Sequence, residues 1–434
     1  MTASNRFDRV FGDVLSDLAQ PNYPDYIEDA LDRATQRSQR PVWTFPERWL
    51  PMGTIARTTP LAPGLPWRNL AILMLLLLAA AIAAFAIGSQ PAPAPPYGPA
   101  GNGVITYQLD GDIYTRPVVG GEPSRITDGP EVDVTPVFSR DGTKLAFVRI
   151  DPEQEAFGTA NEQASLVIAN ADGDGIRPLI GPAVFSSWVW SPDGQSMAMI
   201  APTARGPQLS VVPIDGGEPR VFAFEAPIVS GGVEWRPPDG RELILQLASG
   251  GRARFFAVPV DGGEVRQITP TETVLPAGGL FTLTPDGRQL VYEHTDPVIT
   301  LRIVDVETGV ERLFGQNLPP LVGGEVHTGA PSISSDGTRL IFGRYWDGDG
   351  SMINHQMWTA SLAGDGSDAA PIGPRLRSPG GMLPFVTTTA PDGTRVIVHR
   401  TGSGETWSTD LTGEDLQTLD LGDFEWADWQ RVAP

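Results

Sequence analysis

The sequence predicts an all-β fold, a seven-bladed β-propeller, on three observations. A twelve-residue pattern recurs six times beyond residue 104, as FSRDGTKLAFVR at 138, WSPDGQSMAMIA at 190, WRPPDGRELILQ at 235, LTPDGRQLVYEH at 283, ISSDGTRLIFGR at 333 and TAPDGTRVIVHR at 389. Its Asp-Gly pairs begin at 141, 193, 239, 286, 336 and 392, a spacing of 46 to 56 residues that matches one four-stranded blade. Gly (49) and Pro (42) are dense enough to break helices repeatedly and to supply tight turns between short strands.

Four segments are expected in order: 1–68, 69–88, 89–101 and 102–434. In the first, Phe7, Val10, Phe11, Val14, Leu15 and Leu18 fall at helical spacing on one face, and Pro21 ends the run. A second short helix is expected from Pro24 to about Gln39, with acids in its first turn and Arg33 and Arg37 in its last, the order that complements the helix dipole. Two amphipathic helices of this size bury little core alone, so a cytoplasmic protein partner of residues 1–60 is expected to cover them.

From Leu70 to Ile87 the chain reads LAILMLLLLAAAIAAFAI, without a charged or polar side chain. As a helix this run covers about 27 Å of a hydrocarbon core about 30 Å thick, so a single membrane span is expected. Arg48, Arg57 and Arg68 precede it, whereas the next basic residue after it is Arg116, which puts the N-terminus in the cytoplasm and the β-rich part outside. Residues 89–101, SQPAPAPPYGPAG, read as a semi-rigid Pro-rich spacer.

Within the repeat, each Asp-Gly lies between two apolar runs, where Gly supplies the positive φ of a tight hairpin. A second, Gly-rich turn follows, as in LSVVPIDGGEPRVF at 209 and FFAVPVDGGEVRQIT at 255. These residues resemble the TolB-like propeller repeat, whose mark is an SPDG turn followed by a strand of the LAFV kind; the resemblance covers about 330 residues. The ends settle the blade count. Residues 104–127 match the last three strands of a unit, and FEWADWQ at 424–430 matches a first strand, so the two fragments are expected to join as a seventh blade that removes free sheet edges.

The net charge of −21 lies wholly beyond the apolar run, because residues 1–68 carry eight Arg against eight acids. An acidic domain of this kind repels nucleic acid, so none is expected as a partner. The chain has no Cys and a single Lys, Lys144, which excludes thiolate chemistry and argues against a Schiff base. With no GxSxG, no HExxH and no paired His at metal-ligand spacing, the expectation is a non-enzyme with no catalytic residue, cofactor or metal site. Asp347-Gly-Asp349-Gly and Asp172-Gly-Asp174-Gly resemble half of a calcium loop and are read as turns. Propellers with this repeat also precede hydrolase domains of the prolyl-oligopeptidase kind, and no such domain is expected after the closing strand.

Both short turns of each blade must share one face of the ring, so the variable loops share the other. The longer ones are 150–164, 315–329, 345–356 and 372–384, and long loops on a repetitive scaffold point to function. They offer Phe157, Tyr345 and Trp346 as exposed aromatic contacts, with Glu153, Glu155, Asp347, Asp349, His327, His355, Arg375 and Arg377 as polar ones. A protein or ligand bound on this face, by a membrane-anchored extracytoplasmic scaffold, is the expected function. The layout of helices, span and propeller also resembles that of membrane-bound anti-sigma factors, although their zinc-binding His and Cys pattern is missing. On that alternative the propeller is a sensor and a sigma factor is the partner of the N-terminal helices.

Overall fold

The structure, a computed structural model, describes residues 71–79 and, between 94 and 433, all but short stretches, of which 152–163 and 271–278 are the longest. The chain divides into two compact units, Met1–Ser89 and Gln90–Pro434. In the first, residues 71–79 are helical, and no helix among the described residues is long and apolar enough to cross a membrane. The rest of the apolar run and both expected amphipathic helices, Phe7 to Leu18 included, lie outside the described residues.

The second unit is a ring of seven antiparallel sheets. Blade 1 consists of Val132–Phe138, Lys144–Ile150, Ala164–Asn170 and Arg177–Ala183, hydrogen-bonded in that order. Blades 2 to 6 repeat the plan, starting at Ser187, Ile228, Phe281, Val326 and Phe385. Blade 7 is built from both ends of the unit: Ala427–Val432 pairs with Gly101–Leu109, followed by Asp112–Pro117 and Ser124–Arg125. The register sets Tyr107 opposite Ala427 and Ile105 opposite Trp429, so the closing strand is the innermost, as its sequence predicts.

The LAFV strand does not alternate because it has no exposed face. Leu145 and Phe147 pack against Ile113 of blade 7, whereas Ala146 packs against Trp190 and Met197 of blade 2. Each blade is thus one layer of a circular stack, and the core lies between blades. A strand buried on both faces reads as a continuous apolar run.

The turn chemistry explains the conserved spacing within the repeat. In four blades a hydroxyl two residues before the Asp donates to its carboxylate, at 2.6 Å for Ser139–Asp141 and Ser191–Asp193 and 2.5 Å for Thr284–Asp286 and Ser334–Asp336. The same hydroxyl oxygen accepts the N–H that opens the next strand, 2.9 Å from Lys144 N in blade 1. The glycine follows at positive φ, +72° at Gly142 and +66° at Gly287, where an added Cβ would lie 1.9 Å from Pro237 O in the second case. Only glycine fits there.

Neighbouring blades are also fastened by an arginine that the repeat pattern does not advertise. Arg177, Arg266 and Arg312, each on the fourth strand of its blade, donate to the carbonyls of Ile214, Val306 and Leu362. Each acceptor lies one residue past the third strand of the next blade.

Two expectations are corrected. Segment 345–356 is mostly strand, because Arg339–Asp347 and Met352–Ser361 extend the second hairpin of blade 5 and leave only 348–351 between them. Loop 372–384 contributes a fifth strand, Leu376–Pro379, paired with the upper half of that hairpin. Within the Pro-rich segment Ala94 and Ala100 are buried, and the Ala100 N–H donates to Pro391 O at 2.8 Å. Asp172–Gly175 forms a turn in which the Asp172 carboxylate accepts the Asp174 N–H at 3.1 Å.

Candidate binding surfaces

The extended blade 5 gathers most of the sequence-predicted site. His327, Tyr345 and His355 stand opposite one another on three successive strands. Their rings stack, His327 on Tyr345 at 4.7 Å and 7°, Tyr345 on His355 at 6.2 Å and 25°. Side chains alternate along a strand, so Tyr345 shares the face of Ile341, which packs against Val396 and Val398 of blade 6. The row is anchored rather than free. His327 Nδ1 accepts the Ile299 N–H at 3.2 Å, and His355 Nε2 shares a 2.8 Å hydrogen bond with Ser378 Oγ. Burial, and then the charge of Arg400, lowers the His355 pKa, while burial and then Glu293 push the Tyr345 hydroxyl up to about 12. Both are neutral at physiological pH.

Trp346 projects to the opposite face and is only 2% exposed, which corrects its reading as an exposed contact residue. The Arg375 guanidinium lies over its ring at 4.9 Å and donates to Asn354 Oδ1 at 3.0 and 2.6 Å. On the rim, Asp347, Arg375 and Arg377 are exposed. Glu153, Glu155, Phe157 and Asp349 lie outside the described residues. His294 and His399, on corresponding strands of blades 4 and 6, are both buried, and His399 Nδ1 bonds Thr406 Oγ1 at 2.8 Å.

A second surface was not singled out from the sequence. The first strands of all seven blades wall a central channel of about 430 Å³, to which Val137, Trp188, Glu234, Thr282, Ser332, Thr387 and Asp428 contribute. Trp426, 40% exposed, also lines it. Arg140 reaches to 3.7 Å from Glu234. Asp428 Oδ2 accepts the Phe138 N–H at 2.8 Å and so pins blade 7 to blade 1. The channel leaves 36% of the Arg140 and Glu234 side chains open to solvent, but seven blades of protein surround them. That enclosure raises the Glu234 and Asp428 pKa values, against the pull of Arg140 on Glu234 and, on Asp428, chiefly of the Phe138 and Trp429 N–H groups. It also lowers Arg431 to about 10, with help from Arg140.

These shifts predict a two-limbed pH profile. A carboxyl whose folded pKa is raised favours the folded state below its ordinary value, and that contribution is lost as pH rises through the folded pKa. Glu234 and Asp428 therefore support stability on mild acidification. Glu307 and Asp415 are lowered, chiefly by side-chain hydrogen bonds from Arg236 and Arg395, and Asp365 falls to about 2, chiefly through the Ser367 N–H. Their contribution is present above the ordinary carboxylate range near pH ~4 and disappears below it. Melting temperatures are expected to hold or rise from pH 7 to about 5 and to fall below about 4. Glu234→Gln with Asp428→Asn should flatten the upper limb only.

No protein-family model matches the chain, and no curated protein sequence does. Solved structures that resemble it include TolB from Acinetobacter baumannii, at 16% identity over 66% of this chain and 66% of that one, with a TM-score of 0.45. A putative TolB from Agrobacterium tumefaciens is 17% identical over 68% of this chain and 96% of its own, with a TM-score of 0.44. A chain from a study of two prolyl endopeptidases is 13% identical over 84% of this chain and 56% of its own, at a TM-score of 0.51. That last similarity shows the shared propeller fold. The match spans just under two thirds of the Acinetobacter protein and little more than half of the endopeptidase.

The signal that could have exposed the channel site is a departure from the repeat. The residue before Asp-Gly is Pro192, Pro238, Pro285 and Pro391 in four copies, Ser335 in the fifth and Arg140, the one charged residue, in the first. Proline there presets φ for the turn. An arginine instead gives up that gain and carries a charge into the channel.

Proposed function

We propose that the propeller is a binding module held outside the cytoplasm by an apolar span at 70–87, and that it engages a protein on its long-loop face. The observation that carries this reading is blade 5, whose lengthened hairpin and fifth strand raise one sector of that face and bring Asp347, Arg375 and Arg377 to its rim. A rigid ring with an exposed, charged projection suits recognition more than bond chemistry. Photocrosslinkers placed at Asp347 and Arg377 of the full-length protein in its native membrane should trap a common protein, while one at Glu414 on the turn face should not. Equal yields at all three positions would reject the long-loop face.

The span and its orientation are supported by the unbroken apolar run and the arginine bias before it. Protease added to intact spheroplasts should remove the propeller and spare residues 1–65. Digestion of the N-terminal piece with the propeller intact would invert the topology.

A second reading, a regulator of the anti-sigma type, draws support from the docking of residues 94–100. The chain that leads to the N-terminal segment is fastened to the ring itself, so a change in the ring has a route to that segment.

A further inference from the structure

We infer that the channel mouth on the Asp-Gly turn face is a recognition site for a proline-flanked tyrosyl segment, and that this chain's own Pro95–Gly98 occupies it as an internal ligand. The segment's contacts come from separate blades. Arg431 of blade 7 donates through Nε and Nη2 to Pro95 O at 3.1 and 2.9 Å, and through Nη2 also to Gly98 O. Arg140 of blade 1 lies over the Tyr97 ring at 5.2 Å. The Tyr97 hydroxyl points to Trp235 O of blade 3 at 3.5 Å, and Ala100 N–H donates to Pro391 O in the Asp-Gly turn of blade 6 at 2.8 Å. Tyr97 is half-buried, with Pro96 and Gly98 beside it on the channel wall.

The chemistry is matched to that occupant. A proline lacks an N–H, so a Pro-rich strand presents carbonyl acceptors in an extended form that loses little entropy on docking. Arg431 supplies several donors to those acceptors, and Arg140 supplies a cation to the aromatic face. Arg431 pairs with Asn102 in the closing strand through its backbone, which leaves its guanidinium for the segment. Arg140 stands where four other copies of the repeat have proline, and its role in the structure is toward Tyr97 and Glu234.

The hold is also graded for release. At 3.5 Å the Tyr97 hydroxyl contact is at the long limit of a hydrogen bond, so Tyr97 is kept mainly by the cation and by tethering. A tether of a few residues gives a local concentration on the order of millimolar, which excludes a weak competitor until the strap is disturbed. Once vacated, the site accepts a segment of the same kind from another chain. This inference rests on the ring and not on the membrane span or the long-loop face, so it stands or falls separately from the function proposed above.

The test uses full-length protein and a fluorescent peptide of residues 90–101. Wild type should bind the peptide weakly, Tyr97→Ala at least tenfold more tightly, and Tyr97→Ala with Arg431→Ala no better than wild type, all with unchanged circular dichroism. Protease cleavage between residues 90 and 101 should be slow in wild type and faster in Tyr97→Ala. Equal peptide affinity and equal cleavage for wild type and Tyr97→Ala would overturn the assignment. So would peptide binding by Tyr97→Ala that survives loss of Arg431.

Discussion

Removal of residues 422–434 is expected to abolish cooperative unfolding of the propeller and to leave protein that aggregates. The deletion takes away the innermost strand of blade 7 and with it the ladder to Gly101–Leu109. It also removes Trp429, 4% exposed and packed with Ile105 and Tyr107, whose truncation alone costs about 3–5 kcal/mol. The Asp428 bond to Phe138 N and the Gln430 Nε2 bond to Gly142 O at 2.8 Å, both from blade 7 to blade 1, go as well. Since a domain has about 5–15 kcal/mol in total, the sum reaches the scale of its whole stability. The exposed edge of Gly101–Leu109 then presents unpaired backbone groups to other chains. Scanning calorimetry and size-exclusion chromatography read both effects. A sharp transition at the wild-type temperature in the truncated protein would mean that the ring does not depend on its closing strand.

The blade count and the closure were legible because they depend on short-range chemistry that repeats. An Asp-Gly turn with a hydroxyl two residues earlier fixes one hairpin, and a strand buried on both faces shows as an unbroken apolar run. Six Asp-Gly turns, four of them with that hydroxyl, fix a ring. The charged fastenings were not legible. Arg266 and Val306 lie 40 residues apart in sequence and meet only when blades stack, so neither carries a local mark. The channel site left one local mark, Arg140 in the place of a proline, but its other members were hidden for the same reason, since Tyr97 and Arg431 are brought together only by closure.

The long-loop face was legible in part. The DGDG signal at 347–350 makes 345–356 read as a loop, and 352–358, MINHQMW, shows no alternation of apolar and polar residues that would mark it as a strand. In the structure residues 345–347 and 352–356 belong to strands. That is why His327, Tyr345 and His355 come together as a cross-strand row, and why the neighbouring Trp346 turns inward.

The consequence for Trp346 is a loss of stability rather than of binding alone. Trp346→Ala is expected to cost about 3–5 kcal/mol, since a large buried side chain leaves a cavity that the sheet beneath it cannot collapse to fill. The loop above it is built to the shape of the indole: a Cβ on Gly323 would sit 2.6 Å from Trp346 Cδ1, at a φ of +153°. Gly323→Ala should therefore also destabilise, by about 1–3 kcal/mol, through crowding and backbone strain. Without the ring, Arg375 loses the surface it stacks on and keeps only its bonds to Asn354. Asp347→Ala, one residue along and exposed, should change stability by less than about 0.5 kcal/mol. In thermal melts the three variants should rank Trp346→Ala lowest, Gly323→Ala next and Asp347→Ala indistinguishable from the parent, with the first lowered on the order of 5–10 °C. A Trp346→Ala protein that melts with the parent would show that the indole is not packed beneath the 320–325 loop, and would return it to the exposed contact surface.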